Sequence, residues 1–524
     1  MAAPVYATDL TTINDGSGTF TEPAGAVLGT LSNGDTDNFI QSTSCSSKST
    51  GASGAPALAG IGILAGAAQT IASPNAYYAW VFVGGGGLVD TLANGGIRLI
   101  IGQDINNYRF WYVDGSDFFP YIGWQCIAIE TDNAVVAATG SQGTPNATKQ
   151  YFGAVFNCKI NIGKGNPMAL DAIRWGRTIT VTLGETANYA VFNGIATEND
   201  SINNRWGQFQ AIPGGYQLQG KLLLGVTGGS AVDFRDSNKN IVVAISRKTA
   251  ASFNAIEIQN ATSRVDWDSC NFSALGTVSR GTVTVTDDAD VNITSCVFTD
   301  FSTFVFKANS TIFSTIFRRC DLVTQGSSVI TNCKFENSTA AVSLLSNNIS
   351  NVTNSSFVSD GSNHAIELTT AGTYNLTGNS FTGYATVDGS GGNEVIYNNS
   401  GGAITLNGAG NVGTISIRNG SGASTTYSAT TNLTIELRDA DGALITSNCE
   451  VTVVKDSDTS VLHAEDNITD GSTIYSYATA GVLTYITVMN VTGYQPKVVN
   501  NYTLPSSNST LTIQLDTDPY YLNP

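Results

Sequence analysis

The sequence is poor in charge and nearly empty of histidine. Charged residues make up 12% of the 524 positions, against the ~25% usual for soluble domains. Long solvated helices and coiled coils draw about half their residues from Ala, Glu, Lys, Leu and Arg, so neither fits. Basic residues number 24 against 41 acidic ones, for a net charge of −17. Nucleic-acid binding needs clustered Lys and Arg to release counterions. Here they are scattered, so neither nucleic acid nor an anionic membrane surface is an expected partner, and the acidic surface serves solubility. The two histidines, His364 and His463, lie 99 residues apart. They support no Ser-His-Asp relay and no multi-histidine zinc site, and no metal or cofactor is expected. None of the eight cysteines sits in a CxxC pair, and a chain of this size needs no disulfide framework. The opening MAAPVYATDL has neither the basic nor the apolar region of a secretory leader. One apolar stretch, APALAGIGILAGAAQTIA at 55–72, is interrupted by Pro56, three glycines and Gln69. It falls short of the ~20 residues of a membrane span, so it reads as buried strands with glycine turns.

What is plentiful is glycine (55 residues), the aromatics (20 Tyr, 22 Phe, 6 Trp) and an apolar fraction of 42%. That combination argues against wholesale disorder and for short strands joined by tight turns. The strongest signal is an internal repeat. WDSCNF (267–272), ITSCVF (293–298), IFSTIF (312–317), ITNCKF (330–335), VTNSSF (352–357) and LTGNSF (376–381) share one frame. The first position is Trp267, Ile293, Ile312, Ile330, Val352 or Leu376. The sixth is Phe272, Phe298, Phe317, Phe335, Phe357 or Phe381. The third is Ser, Asn or Gly, and the fourth is small: Cys270, Cys296, Thr315, Cys333, Ser355 or Asn379. In a strand, positions one and six would point to opposite faces, yet both are large and apolar. A bend at the third position reconciles them. A short strand, a polar corner and a second short strand every ~20 residues make one rung of a parallel β-solenoid. Stacked rungs would form a Phe column, an aliphatic column and a column of small buried residues. The cysteines belong to the last as small hydrophobes. A leucine-rich horseshoe would need a Leu/Asn signature that is absent. An ordinary sandwich would not hold the same frame over six units.

The flanks read differently. YYAWVFV (77–83), GIRLIIG (96–102), YRFWYV (108–113) and GWQCIAIE (123–130) are aromatic, β-branched strands between Gly or Asn/Asp turns. This is the pattern of an antiparallel jelly roll, resembling concanavalin- or laminin-G-type lectins. Tyr108, Trp111, Tyr121 and Trp124, with Phe110 and Tyr112 beside them, are candidate sugar-stacking rings, or else core. The glycines at 84–87 lack the following Lys-Ser/Thr of a phosphate loop. Asp236, Asn238 and Asn240 alternate like calcium ligands, but no acidic residue closes the loop, so a polar turn is expected. From about 425, alternation with turn signals every 8–12 residues suggests an immunoglobulin-like sandwich, with Asp439 and Asp441 in a hairpin turn. The expected fold is all-β: a lectin-like sandwich (1–185), a right-handed parallel β-solenoid (186–424) and an Ig-like sandwich (425–524).

IRWGR (173–177), NRWGQFQAIPGGYQLQG (204–220), VDFRDSN (232–238) and RVDWDSC (264–270), followed by the S/N-C-x-F rungs, resemble virion structural proteins of tailed bacteriophages, described as tail-fibre, spike or decoration proteins. The resemblance spans most of residues 1–420 and carries no catalytic residues. It implies cytoplasmic synthesis, assembly into the particle with other virion proteins, self-association as a trimer, and a role in decoration or attachment to host-surface glycans. A second expectation, from a different class, is a polysaccharide depolymerase. Glycoside hydrolysis needs two carboxylates ~5–9.5 Å apart. Candidates are Asp266 with Asp268, Asp287 with Asp288 and Asp290, and Asp233 with Asp236. Asp266 and Asp268 flank Trp267 and so should share an outward face. A bacterial adhesin would require an export signal.

Overall fold

The structure is a computed structural model. It describes residues 4–37, 39–49, 57–71, 75–84, 96–112, 122–130, 140–158, 167–183, 191–201, 205–244, 253–275, 281–477, 481–505 and 507–519. It is all-β, with one α-helix among the described residues. Two compact units are formed, Met1–Ser346 with Val358–Asn363, and Asn347–Phe357 with His364–Pro524.

The first unit opens with two antiparallel sheets. One runs in the order Gly140–Gln142, Asn107–Tyr112, Ile97–Asp104, Tyr151–Cys158, Ala57–Leu64. The apolar stretch near residue 60 is therefore a sheet strand, and no described helix is long and apolar enough to cross a membrane. The other sheet runs Thr30–Asp35, Cys45–Ser49, Pro167–Gly176, Ala76–Val83, Gly123–Glu130, with Thr11–Asn14 also on Pro167–Gly176. Alternation sends Tyr77, Ala79 and Val81 from one sheet, and Leu99, Ile101, Phe152 and Phe156 from the other, into a shared core. Strand Gly123–Glu130 is a sheet edge, whose unpaired backbone would template further strands. Two buried glutamines cover it. Gln219 accepts from the Ala128 N–H at 3.1 Å and donates to the Cys126 carbonyl at 2.7 Å, while Gln210 accepts from the Cys126 N–H at 3.3 Å.

Beyond the sandwich the chain visits three sheets in turn, so from Lys221–Leu224 through Leu322–Thr324 each strand pairs in parallel with the strand three later. Arg264–Asp268, Asp290–Thr294, Ser310–Phe313 and Val329–Thr331 stack in one sheet. Asn271–Ala274, Val297–Thr299, Ile316–Arg318 and Lys334–Glu336 stack in the next. Gly281–Val285, Thr303–Val305 and Leu322–Thr324 belong to the third. Register puts Trp267, Ile293, Ile312 and Ile330 side by side. The rings of Phe272, Phe298, Phe317 and Phe335 stack at centroid spacings of 4.9, 5.7 and 5.1 Å, with planes 12–15° apart. All eight of these side chains are buried.

The corner is a single left-handed residue. Ser269, Ser295, Ser314 and Asn332 have φ of 55, 54, 50 and 56°. In the second unit Asn354 (51°) and Gly378 (67°) hold the same place. This conformation strains most side chains and is eased for Gly and for Asn. It puts positions two and three of the hexapeptide outward in succession, which shifts the alternation by one and turns positions one, four and six all inward. The corner N–H reaches the next turn: Ser269 to the Thr294 carbonyl and Ser295 to that of Phe313, both at 2.9 Å. A second left-handed corner follows at Asp300, Arg319 and Asn337, where Arg319 clasps Asp300 through two hydrogen bonds of 2.9 and 2.7 Å.

Helix α1 (Val191–Asp200) covers the start of this interior. Phe192 meets Phe234 edge-on at 4.9 Å and lies 5.8 Å from Phe209. Its N–H donates to the Oδ2 of buried Asp236 at 2.7 Å. Asp236 is thus an interior helix anchor. Asn238 is a left-handed corner, in keeping with the expected polar turn.

In the second unit Val352 and Leu376 are buried, and the rings of Phe357 and Phe381 stack at 5.3 Å. Strand Ser424–Arg438 pairs in parallel with Ala403–Ala409 through its first seven residues. Its last residues join a sandwich, antiparallel to Ser472–Tyr477 and parallel to Ser509–Gln514. The expected boundary at 424/425 falls at the start of this strand, and no linker intervenes. The facing sheet runs Val461–Ile468, Cys449–Lys455, Leu483–Met489, Lys497–Thr503. Leu433, Ile435, Leu437, Val451, Val453, Ile486 and Ile513 fill the space between the two sheets. Asp439 accepts from the N–H groups of Asp441 and Ala443 at 3.0 and 2.9 Å, which closes a turn.

Candidate functional site

The acidic candidates lie mainly on the outer face of one parallel sheet. In strand Arg264–Asp268 the period of two turns Val265 and Trp267 inward and Arg264, Asp266 and Asp268 outward. Register then builds lateral rows: Asp233, Arg264 and Asp290; Arg235, Asp266 and Asn292; Ser237, Asp268 and Thr294. Opposite charges therefore face each other across neighbouring strands. Asp266 Oδ2 lies 2.9 Å from Arg264 Nη2 and 3.3 Å from Arg235 Nε, and its Oδ1 accepts from Asn292 Nδ2 at 2.9 Å. Arg235 also pairs with Asp233 at 3.2 Å. Asp290 lies 3.8 Å from Arg264 and accepts from Asn292 at 2.8 Å. Asp268 is exposed and accepts from Ser269 Oγ at 3.0 Å. A concavity of about 660 Å³ is lined by Ser237, Arg264, Asp266, Trp267, Asp268, Asn292 and Thr294. Its one aromatic, Trp267, is only 1% exposed and offers no sugar-stacking ring.

The shared outward face of Asp266 and Asp268 is present, but their environments differ. A general acid must hold a proton and a nucleophile must be able to reach the substrate. The oxygens of Asp266 are occupied by two guanidinium groups and an amide, so it is not free to reach a substrate. The Asp287 and Asp290 pairing separates. Asp287 turns to the preceding loops, accepting from Thr227 Oγ1 at 2.7 Å and from the Asn260 N–H at 2.6 Å. The Thr227 hydroxyl first, and then the Asn260 amide, hold its carboxyl below the ordinary value. Asp233 and Asp236 separate as well, since alternation sends Asp236 inside.

The aromatic candidates need correcting. Tyr108 and Trp111 lie an odd number of residues apart, so they face opposite sides of their strand. Trp111 is 1% exposed in the inter-sheet core. Tyr108 is 4% exposed, with its hydroxyl donating to the Ala24 carbonyl at 2.7 Å. Neither ring can stack on a sugar. Trp124 is half-buried against Phe82 at 5.5 Å, and Tyr121 lies outside the described residues. The more outward rings are Phe110 and Tyr112, and Arg98 lies over both, at 4.9 and 5.0 Å.

One cluster had no signal in the sequence. In the second unit, His364 stacks on Tyr397 at 5.0 Å, and Arg418 covers that ring at 4.8 Å. The His364 Nδ1 lies 3.0 Å from the Glu394 carbonyl oxygen, and its Nε2 lies 3.3 Å from Arg418 Nη1. Both ring nitrogens therefore have partners. Glu394 is buried and accepts from the N–H groups of Gly391 and Gly392, tying down the glycine-rich loop before it. Residues 364, 394, 397 and 418 come together only when neighbouring strands fall into register, so no local motif marks them. His463 instead lies 2.9 Å from Thr473 Oγ1. Among the described residues, no cluster of His, Cys, Asp or Glu could hold a metal ion.

No protein-family model matches the chain, and no curated protein matches it.

Proposed function

We propose that the chain is a non-enzymatic structural component of a tailed-phage particle. It is displayed on the virion surface as a tail fibre, spike or head decoration, and it contributes to attachment to host-surface glycans. The observation that carries this reading is the direction of the recurring chemistry. Positions one, four and six of the repeat, where the sequence repeats itself, are interior and stacked. The outward third position is the recurring corner Ser or Asn, and the outward second position changes along the turns: Asp268, Thr294, Phe313 and Thr331. What is repeated is therefore the scaffold and not a reactive group. The phrases at 173–177, 204–220, 232–238 and 264–270 support the virion assignment. Partners would be further copies of the chain, as a homotrimer, and neighbouring virion proteins. Weak glycan contacts multiplied over several copies can gain 10²–10⁴ in avidity.

The alternative, a depolymerase, would need the outer acidic face to act, and its best carboxylate is held by Arg235 and Arg264. The test is antibody labelling of purified particles by electron microscopy, with the copy number taken from quantitative mass spectrometry. Labelled particles with a fixed copy number are expected. Absence from the particle would remove the proposal. Release of reducing ends from host capsule, lost in Asp266→Asn or Asp268→Asn, would replace it with the enzyme.

A further inference from the structure

All eight cysteines are buried, but two of them occupy the same place in consecutive turns. Asp268 is the register partner of Thr294, and Asn271 is that of Val297. Cys270 and Cys296 therefore face each other between two fixed pairs. The backbone between them is closed as well: the Val297 N–H donates to the Cys270 carbonyl at 2.9 Å. Neighbouring strands lie about 4.8 Å apart, inside the ~4.4–6.8 Å window of Cα separations that disulfides occupy. Both side chains point into the same interior and are fully buried. In the next turn the column continues with Thr315, so Cys333 is separated from Cys296 by a whole turn.

We propose that Cys270 and Cys296 form a dithiol site that a small hydroperoxide converts to an intramolecular disulfide joining two turns of the coil. Full burial of both thiols excludes bulky oxidants. The neighbouring Cys296 thiol, opposed by burial, holds the Cys270 thiol below its ordinary value. The adjacent Cys270 thiol, with burial, pushes Cys296 up. In the proposed step Cys270 attacks first, and its proton goes to the departing oxygen. Its sulfur takes one peroxide oxygen, the O–O bond breaks, and hydroxide leaves and is protonated to water, giving a sulfenic acid on Cys270. The Cys296 sulfur then attacks the Cys270 sulfur, the S–O bond breaks, and the second oxygen departs as water with the Cys296 proton. In sum, two thiols and one peroxide give one disulfide and two waters. The site is independent of the virion assignment and stands or falls separately.

The experiment treats the purified full-length chain with hydrogen peroxide. It is then denatured, alkylated without reduction, and mapped by mass spectrometry. Exposed Met489, at 41% of its full accessibility, serves as the internal marker that the oxidant acted. The expected result is two alkylatable thiols fewer, a mass loss of two hydrogens, and a peptide pair linked through 270 and 296. Cys270→Ser and Cys296→Ser should each keep all seven remaining thiols, while Cys333→Ser should still lose two. Eight intact thiols beside an oxidised Met489, a disulfide elsewhere, or sulfinic acid at 270 without a link would overturn the proposal. The mapping on the unsubstituted chain decides it even where a variant fails to fold.

Discussion

The hydroxyl of Thr315 lies 3.4 Å from the carbonyl oxygen of Ile293, as the thiol of Cys296 lies 3.5 Å from that of Trp267. Each also reaches the carbonyl two residues back on its own turn, Phe313 at 3.1 Å and Thr294 at 3.3 Å. Cys333 repeats both contacts with Ile312 and Thr331. The small column is therefore a ladder of weak donors that meets corner carbonyls inside the coil.

Replacing Thr315 tests that ladder. Thr315→Val keeps the shape and removes the donor, and should cost about 1–2 kcal/mol for the carbonyls left without it. Thr315→Cys restores the column chemistry and should stay within about 1 kcal/mol of the parent. Urea denaturation of both variants reads the difference, and equal losses would show that volume and not the donor matters.

Phe298 is fully buried, and its ring meets those of Phe272, Phe301, Phe304 and Phe317. Phe298→Ala should lose about 3–5 kcal/mol. Phe298→Leu should lose markedly less, because much of the volume is kept. The midpoint of chemical unfolding is the measurement.

The left-handed corners discriminate by backbone alone. At Ser295, with φ of 54°, Ser295→Gly should be neutral or slightly stabilising. Ser295→Val should cost about 1–2 kcal/mol, because a branched Cβ is strained there. A neutral valine would mean that the corner is not left-handed in solution.

Asp171 provides a pH test. It is fully buried and accepts from the N–H groups of Ile40, Gln41 and Ala172. Burial, opposed by those amides, pushes its carboxyl from 3.8 up to about 6. The folded state thus holds the proton more tightly than the unfolded state. The resulting stabilisation is complete below about pH 4 and is lost as pH rises through about 6. Thermal melts from pH 4 to 7 should show a decline of order 1–3 kcal/mol from this group, and Asp171→Asn should flatten it. A parent and a variant with the same pH profile would exclude the effect.

Some of this was legible from residue order, and some was not. The Phe and aliphatic columns could be read because six phrases share one frame, and a bend at Ser or Asn was the way to turn both ends of each phrase inward. The helix that covers the first turn left no trace, since Phe192 is an ordinary apolar residue until Phe209, Phe234 and Asp236 meet it. The glutamine cover on strand Gly123–Glu130 was equally silent, because Gln210 and Gln219 act 84 and 93 residues away in sequence. Among the aromatics, a dense run named the strand correctly but could not say which rings face out. Tyr108 and Trp111 both ended inside, on opposite sides.

The candidate acidic face divides the same way. Alternation along one strand, a short-range property of the backbone, was enough to place Asp266 and Asp268 on one side and Trp267 on the other. Which charges neutralise which was decided only when strands 26 to 31 residues apart came into register, bringing Arg235 and Asn292 to Asp266. Local sterics and side-chain period are written residue by residue. Electrostatic partners, edge covers and end caps depend on distances that exist only after the chain has closed on itself, and for that reason the tertiary structure alone determined them.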